Sequence, residues 1–207
     1  MLIKKYFPNI TPNQEAQLDA LGDLYTDWNS KINLISRKDI ENLYEKHILH
    51  SLGIAQIIRF NDRSAILDVG TGGGFPGIPL AILFPKVHFL LIDSIGKKVK
   101  VAEDVARQIG LNNVECLHER AEAEKRQFDF IVSRAVMPLP ELVRITRKNI
   151  ARKQQNALPN GFLCLKGGDL QAELHPFKNK TIEYELSDYF EEEFFLTKKV
   201  VFLPIVV

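Results

Sequence analysis

Two cysteines, Cys116 and Cys164, are all that 207 residues contain. That is too few for a disulfide framework or a cysteine-based zinc site. Both read as small buried thiols of a reducing compartment, and a cytoplasmic location is expected. No apolar run approaches the roughly 18–20 residues that a membrane-spanning helix requires, so no membrane association is expected. The opening residues, Met1 to Pro8, show neither an apolar core nor a small-residue cleavage site, and no secretion signal is expected. Internal repeats and low-complexity stretches are lacking. Net charge is nearly lacking too: 27 basic against 26 acidic residues leave +1. That balance argues against a protein that coats nucleic acid in bulk. With 45% hydrophobic and 26% charged residues the chain is neither disordered nor collagen-like. Its length suits one domain with an appendage, or two small ones.

The charge is balanced overall but not locally. Residues 1–64 carry 8 basic and 8 acidic groups, and residues 65–85 carry only Asp68. Residues 86–180 carry 17 basic and 11 acidic groups, and residues 181–207 carry 2 and 6. The surplus peaks at Arg144, Arg147, Lys148, Arg152 and Lys153, with no acid among residues 142–153. Such a cluster reads either as a solvated helix face or as a surface that steers a polyanion.

Thr11, Pro12 and Gln14 form a helix start with a capping box. Leu18, Leu21, Tyr25 and Trp28 then recur at helical spacing, with Trp28 as core packing. A second helix is expected from Asp39 to Ile58. Residues 1–62 thus read as a helical extension and residues 63–207 as the main domain. In the latter, strands are expected at 65–69, 87–92, 114–117, 128–132, 161–166, 182–186 and 200–206. Helices are expected at 76–84, 96–109 and 138–150. Strands alternating with helices predict an α/β fold with a mostly parallel, twisted sheet covered on both faces. In such sheets a ligand sits beyond the carboxyl ends of the strands, where the chain order switches.

The first sheet strand runs into Asp68-Val69-Gly70-Thr71-Gly72-Gly73-Gly74-Phe75-Pro76-Gly77. Glycines there permit a sharp turn and a close approach of ligand to main chain. The next strand ends in Asp93, 19 residues past Gly74, the spacing at which a carboxylate can take the hydroxyls of a ribose. The pattern predicts an adenosine-type ligand. Gly72, Gly74 and Gly77 satisfy the dinucleotide pattern, but two details favour S-adenosylmethionine. Phe75-Pro76 interrupts the helix start that would cradle a pyrophosphate. Asp68, two residues before Gly70, suits a cationic amino-acid moiety and would repel a pyrophosphate.

Asp68 to Ala81 (DVGTGGGFPGIPLA) resembles the glycine motif of the bacterial methyltransferase G family of small-subunit ribosomal RNA, also called glucose-inhibited division protein B. The likeness extends through Trp28-Asn29, Asn33-Leu34, Lys46 to Leu52, Asp93 to Lys98, Arg120-Ala121-Glu122, Ser133-Arg134-Ala135 and Leu165 to Gly168. It covers almost the whole chain. The resemblance implies a Rossmann-like class I methyltransferase fold and methylation of N7 of one guanine in 16S ribosomal RNA. Its donor would be S-adenosylmethionine, its product S-adenosylhomocysteine, and its partner the RNA or the small subunit. It implies Gly70 and Phe75 as glycine-loop contacts, beside Gly72 and Gly74 of the glycine pattern read above, with Asp93 as the ribose ligand and Ala121 and Glu122 as adenine-side contacts. Arg134 would be the cofactor-site arginine. One departure is His50, where the family more often has aspartate.

Guanine N7 has a lone pair and no proton, so the transfer needs alignment rather than a general base. No cysteine sits where a covalent catalyst is expected. Arg134 reads as a ligand-fixing group or as half of an ion pair. His47 and His50 lie three apart on a helix, but no third ligand is apparent and no metal is expected. Arg144, Arg147, Lys148, Lys97, Lys98 and Lys166 are the candidate phosphate contacts, which would orient RNA without reading the base. Nothing demands more than a monomer. Two readings stay open beside the RNA methyltransferase: a class I methyltransferase of small molecules or proteins, and a nicotinamide dehydrogenase or non-catalytic nucleotide-binding module.

Overall fold

The computed structural model describes residues 2–205, apart from the side chains of Arg37 and Lys38. The expected last strand reaches Val206, which lies outside the described residues. The chain opens with α1 (Leu2–Tyr6) and α2 (Pro12–Lys31). At the start of α2 the Thr11 hydroxyl accepts from the Gln14 amide, and the Gln14 side chain accepts from the Thr11 amide. This capping box satisfies two amides that the first turn would otherwise leave unpaired. Gln14 also donates to the Ile82 and Leu83 carbonyls, so the same side chain ties the extension to the sheet domain.

The single helix expected over residues 39–58 is three pieces: α3 (Arg37–Ile40), a π-helical segment (Tyr44–Leu49) and α4 (His50–Ile57). The apolar spacing hides the break, because the wide turn keeps the buried residues Ile48, Leu49 and Leu52 on the core side.

Then follow β1 (Ala65–Val69), α5 (Gly77–Leu83), β2 (His88–Asp93), α6 (Gly96–Gln108) and β3 (Val114–His118). The chain continues through β4 (Phe130–Arg134), α7 (Leu139–Thr146), β5 (Gly161–Gly167), α8 (Gln171–Leu174), β6 (Ile182–Glu185) and β7 (Lys198–Pro204). The helix expected over 138–150 ends at Thr146 and tightens into a 3₁₀ turn at Arg147–Asn149.

The seven strands lie in the order β3-β2-β1-β4-β5-β7-β6. All pairs are parallel except those made by β7, which runs antiparallel between β5 and β6. The order reverses between β1 and β4, so their carboxyl ends flank a crevice. Alternate residues serve opposite faces: Ile66, Val132, Leu163 and Phe202 join one core, and Leu67, Ile131, Phe162 and Val201 the other. The first core also contains Ile3, Leu18, Leu21 and Tyr25, so the N-terminal helices share a continuous interior with α5 and α6. Helices α7 and α8 cover the second face. No helix among the described residues is long and apolar enough to cross a membrane.

Sheet packing is tight at Gly161, where β5 pairs with β4 and β7. A Cβ added there would overlap the Leu203 carbonyl oxygen, a backbone atom with nowhere to move. Gly161→Ala is therefore expected to destabilise the fold by about 1–3 kcal/mol, the usual range for overpacking. Urea unfolding checks this; unchanged stability would mean the β5–β7 register is not as described.

Candidate active site

The turn after β1 holds itself by hydrogen bonds to its neighbours. The Ile92 carbonyl at the end of β2 accepts from the Gly70 and Thr71 amides, at 2.9 and 3.0 Å. The Gly72 amide donates to Asp93 Oδ2 at 2.9 Å, and the Ile95 amide donates to Asp93 Oδ1 at 2.8 Å. The Gly74 and Phe75 amides donate to the Thr71 carbonyl. From α2, the Tyr25 hydroxyl donates to the Gly73 carbonyl at 2.8 Å.

Asp68 does not face the ligand side, contrary to the sequence expectation. It is fully buried beneath the loop, where Oδ2 accepts from the Thr71 hydroxyl at 2.7 Å and the Gly77 amide at 2.8 Å. Residue parity in β1 sends it toward the face covered by α5, whose first amide needs an acceptor. Burial pushes its pKa up to about 7 against the hydrogen bonds from Thr71 and Gly77 and the charge of Arg134.

Above this turn lies a cleft of about 570 Å³. It spans the carboxyl ends of β1, β2 and β4. Gly70, Gly72, Phe75, Asp93, Ala121, Glu122 and Arg134 all line it, and so does Lys98. Gly72 has φ +58°, and a Cβ there would meet no atom within 4 Å, so its bare backbone faces open space. Gly74 does not line the cleft. It is buried, and a side chain there would run into Ile78.

Arg134 ends β4. Its Nη1 donates to the Lys46 carbonyl at 3.3 Å, and its Nη2 lies 3.0 Å from His47 Nδ1. The guanidinium carbon sits 5.1 Å from the Phe75 ring centroid. Among the described residues no carboxylate pairs with it, so the ion-pair reading fails. Desolvation lowers its pKa to about 10, which leaves it cationic near neutrality.

The basic residues divide. Arg144, Arg147 and Lys148 are exposed on α7 and the following turn, and Lys97 is exposed on α6. Lys166 is not available to a phosphate. Its ammonium pairs with Glu173 at 2.8 Å and donates to the Met137 carbonyl at 2.7 Å, with the side chain only 11% exposed. Cys164 is fully buried and Cys116 half-buried, and burial pushes both thiols up to about 12. Neither is a nucleophile near neutrality. Trp28 packs on the core and also donates from Nε1 to Asp104 at 2.9 Å.

A family model described as rRNA small subunit methyltransferase G, GidB, matches residues 14–199. The chain belongs to the GidB family. Ribosomal RNA small subunit methyltransferase G of Bacteroides fragilis is 66% identical over 204 residues, 99% of each chain. That of Porphyromonas gingivalis is 62% identical over 99% of this chain and 93% of its own. A SAM-dependent methyltransferase from Aquifex aeolicus superimposes with a TM-score of 0.56 at 18% identity, over 83% of this chain and 100% of its own. A ribosomal protein L11 methylase from Lactobacillus delbrueckii gives 0.55 at 18% identity, over 75% and 76%. At that identity these two speak for the fold, which is Rossmann-like. Membership in GidB makes the chain a methyltransferase and its cleft the place where methyl transfer is to be sought.

Sequence reasoning missed His47 as a wall of the GidB cleft, together with Ile95, Val136 and Ile145. The first was visible only as one of two helix histidines. The other, His50, is buried against the rings of Phe194 and Phe195 at 5.4 and 6.2 Å, with Nε2 unpartnered. Burial lowers its pKa from 6.5 to about 3. The folded protein therefore refuses a proton that the unfolded chain accepts below pH 6.5, and stability falls as pH drops through that range. At pH 5 this linkage costs about 2 kcal/mol. Asp68 acts with the opposite sign between its ordinary value of 3.8 and about 7, and His47, which burial lowers to about 4, acts with the same sign as His50; both are common to the two proteins compared. In urea titrations at pH 7 and pH 5, His50→Phe is expected to shrink the loss by roughly that amount. An unaltered loss would contradict the buried neutral state.

Proposed function

We propose that this enzyme transfers a methyl group from S-adenosylmethionine to N7 of a guanine in 16S ribosomal RNA, acting as a cytoplasmic monomer. The observation that carries the reading is an unpaired, desolvated Arg134 and a loop-held Asp93 at two strand ends of one cleft, in a chain whose relatives are named as small-subunit ribosomal RNA methyltransferases.

The residues present fit the donor. Each oxygen of Asp93 accepts one amide and keeps lone pairs for ribose hydroxyls. Ala121, Ile95 and Ile145 offer an apolar slot for a flat heterocycle, with Glu122 beside it at the rim. Arg134 supplies the cation for a carboxylate. The open backbone at Gly72 gives room against the main chain. When bound, S-adenosylmethionine supplies a methyl group on positively charged sulfur. The amides of Gly70, Thr71, Gly72, Gly74 and Phe75 are all taken by protein acceptors, which leaves the loop little to offer a pyrophosphate. That favours this donor over a nicotinamide dinucleotide.

The chain's part in the transfer is placement. N7 carries no proton, so no residue has to remove one there. Arg134 and Asp93 would fix the donor at the two strand ends. N7 faces the deep major groove of A-form RNA, so an unpaired or opened guanine is the natural target. Arg144 stands exposed on the helix whose inner side includes Ile145 of the cleft, and Arg147 on the turn that follows; they would hold phosphates.

Three outcomes are expected. Incubating small subunits from a strain lacking this gene with enzyme and donor adds one N7-methylguanine to 16S RNA, read by mass mapping; a methyl on another base or atom overturns the reading. Arg134→Ala lowers methyl transfer at least about 30-fold, the scale of losing a charged hydrogen bond. Retention of near wild-type rate would remove Arg134 from the site. Arg144→Glu with Arg147→Glu weakens RNA binding and reduces the slope of log Kd against log salt by about 2, one per phosphate contact. S-adenosylhomocysteine binding in that variant stays the same. An unchanged slope means the RNA docks elsewhere.

A further inference from the structure

The π-helical segment Tyr44–Leu49 of the N-terminal extension hydrogen-bonds Arg134. A π turn is wider than an α turn and recurs at functional sites. Two groups of this segment meet the guanidinium: the Lys46 carbonyl, which takes Nη1, and the His47 ring, whose Nδ1 takes Nη2 at 3.0 Å. A guanidinium has only donors, so Nδ1 must be an unprotonated acceptor and the ring proton sits on Nε2. Burial and the nearby positive charge of Arg134 hold His47 well below its ordinary value, at about 4, so the neutral ring is the form present near neutrality. The same ring lies 5.5 Å from Phe75, which packs on Tyr25 at 4.7 Å. Phe75, His47 and the Lys46 carbonyl thus enclose the guanidinium from separate sides. Its remaining donors have no acceptor among the described residues, and Arg134 lines the cleft.

We infer that His47 is a positioning residue, which fixes the Arg134 guanidinium over Phe75 by accepting a hydrogen bond at Nδ1, and that the N-terminal extension is in this way part of the active site. Arginine carries much rotamer freedom. Without the acceptor the guanidinium would have to be ordered at the moment the donor binds, and affinity would fall. The inference rests on the proposed reading that Arg134 meets the methyl donor.

The test uses the full chain with His47→Ala, His47→Asn and His47→Gln, each also checked for melting temperature. The asparagine carbonyl oxygen falls near the place of Nδ1, and the glutamine one nearer Nε2. Calorimetry with S-adenosylhomocysteine is expected to show affinity about tenfold weaker for alanine and glutamine and within about threefold of wild type for asparagine. Adding His47→Ala to Arg134→Ala is expected to cost nothing further, because the two act through one contact. Equal losses for asparagine and glutamine, or a full further loss on the Arg134→Ala background, overturn the inference. Should His47→Ala not fold, the asparagine and glutamine pair decides alone. If Arg134→Ala itself binds S-adenosylhomocysteine like wild type, the reading of the site falls instead. If Arg134→Ala is impaired and the His47 variants are not, only the inference falls.

Discussion

The turn between β1 and α5 is closed by the protein's own hydrogen bonds, and the site depends on that closure. Ile92 and Asp93 at the end of β2 take its first three amides, Asp68 takes the Gly77 amide from below, and Tyr25 holds the Gly73 carbonyl from α2. Backbone polar groups removed from water need such partners, and a loop satisfied internally has no reason to rearrange. Two consequences follow. Asp93 is locked in place by the amides it accepts, with lone pairs to spare toward the cleft. Val136 can lie over Gly70, because a Cβ at Gly70 would overlap it. A ligand entering this cleft meets fixed groups, so little of its binding free energy goes into ordering them.

Much of this was legible from residues alone, for particular reasons. The parallel sheet shows as short apolar runs because its strands are buried on both faces. Asp93 shows because the rise of one strand and the return of one helix fix its distance from Gly74. Other parts could not show. Asp68 and Asp93 both stand near a strand end beside glycines, but side-chain parity sends one under the loop and leaves the other at the rim. Lys166 counts as a free charge in a sequence. In space it meets Glu173, which also accepts the Leu139 amide at the start of α7, so the pair builds the helix rather than the surface. The π turn is hidden because it preserves the apolar spacing of a continuous helix. At His50 the family resemblance had raised a question about a missing aspartate. The structure puts that side chain among aromatic rings, where a carboxylate would need a partner to offset its desolvation.

The titratable groups around the cleft are arranged for holding rather than for moving protons. His47 is kept neutral with Nδ1 occupied, and Asp68 is buried beneath the loop, away from the ligand side. Such a set suits attack by an atom with no proton to lose, where the remaining barrier is set by alignment. A reaction that must deprotonate its nucleophile would call for a free base at the β4 end, and the base that stands there is hydrogen-bonded to an arginine.

Alignment over a large substrate raises a further constraint, because RNA phosphates and the reacting base lie far apart. Helix α7 meets it by serving two surfaces at once. Leu139, Leu142 and Ile145 are buried on its inner side, and Ile145 also lines the cleft, while Arg144 on the helix and Arg147 on the turn after it are exposed. The helix begins where the Arg134 loop ends, and its first amide is held by Glu173. In the proposed docking, an RNA backbone held on the outer side would be referred, through one turn of helix, to the wall of the cleft. Charge on that side would fix position without reading sequence, so discrimination between bases would rest with groups inside the cleft.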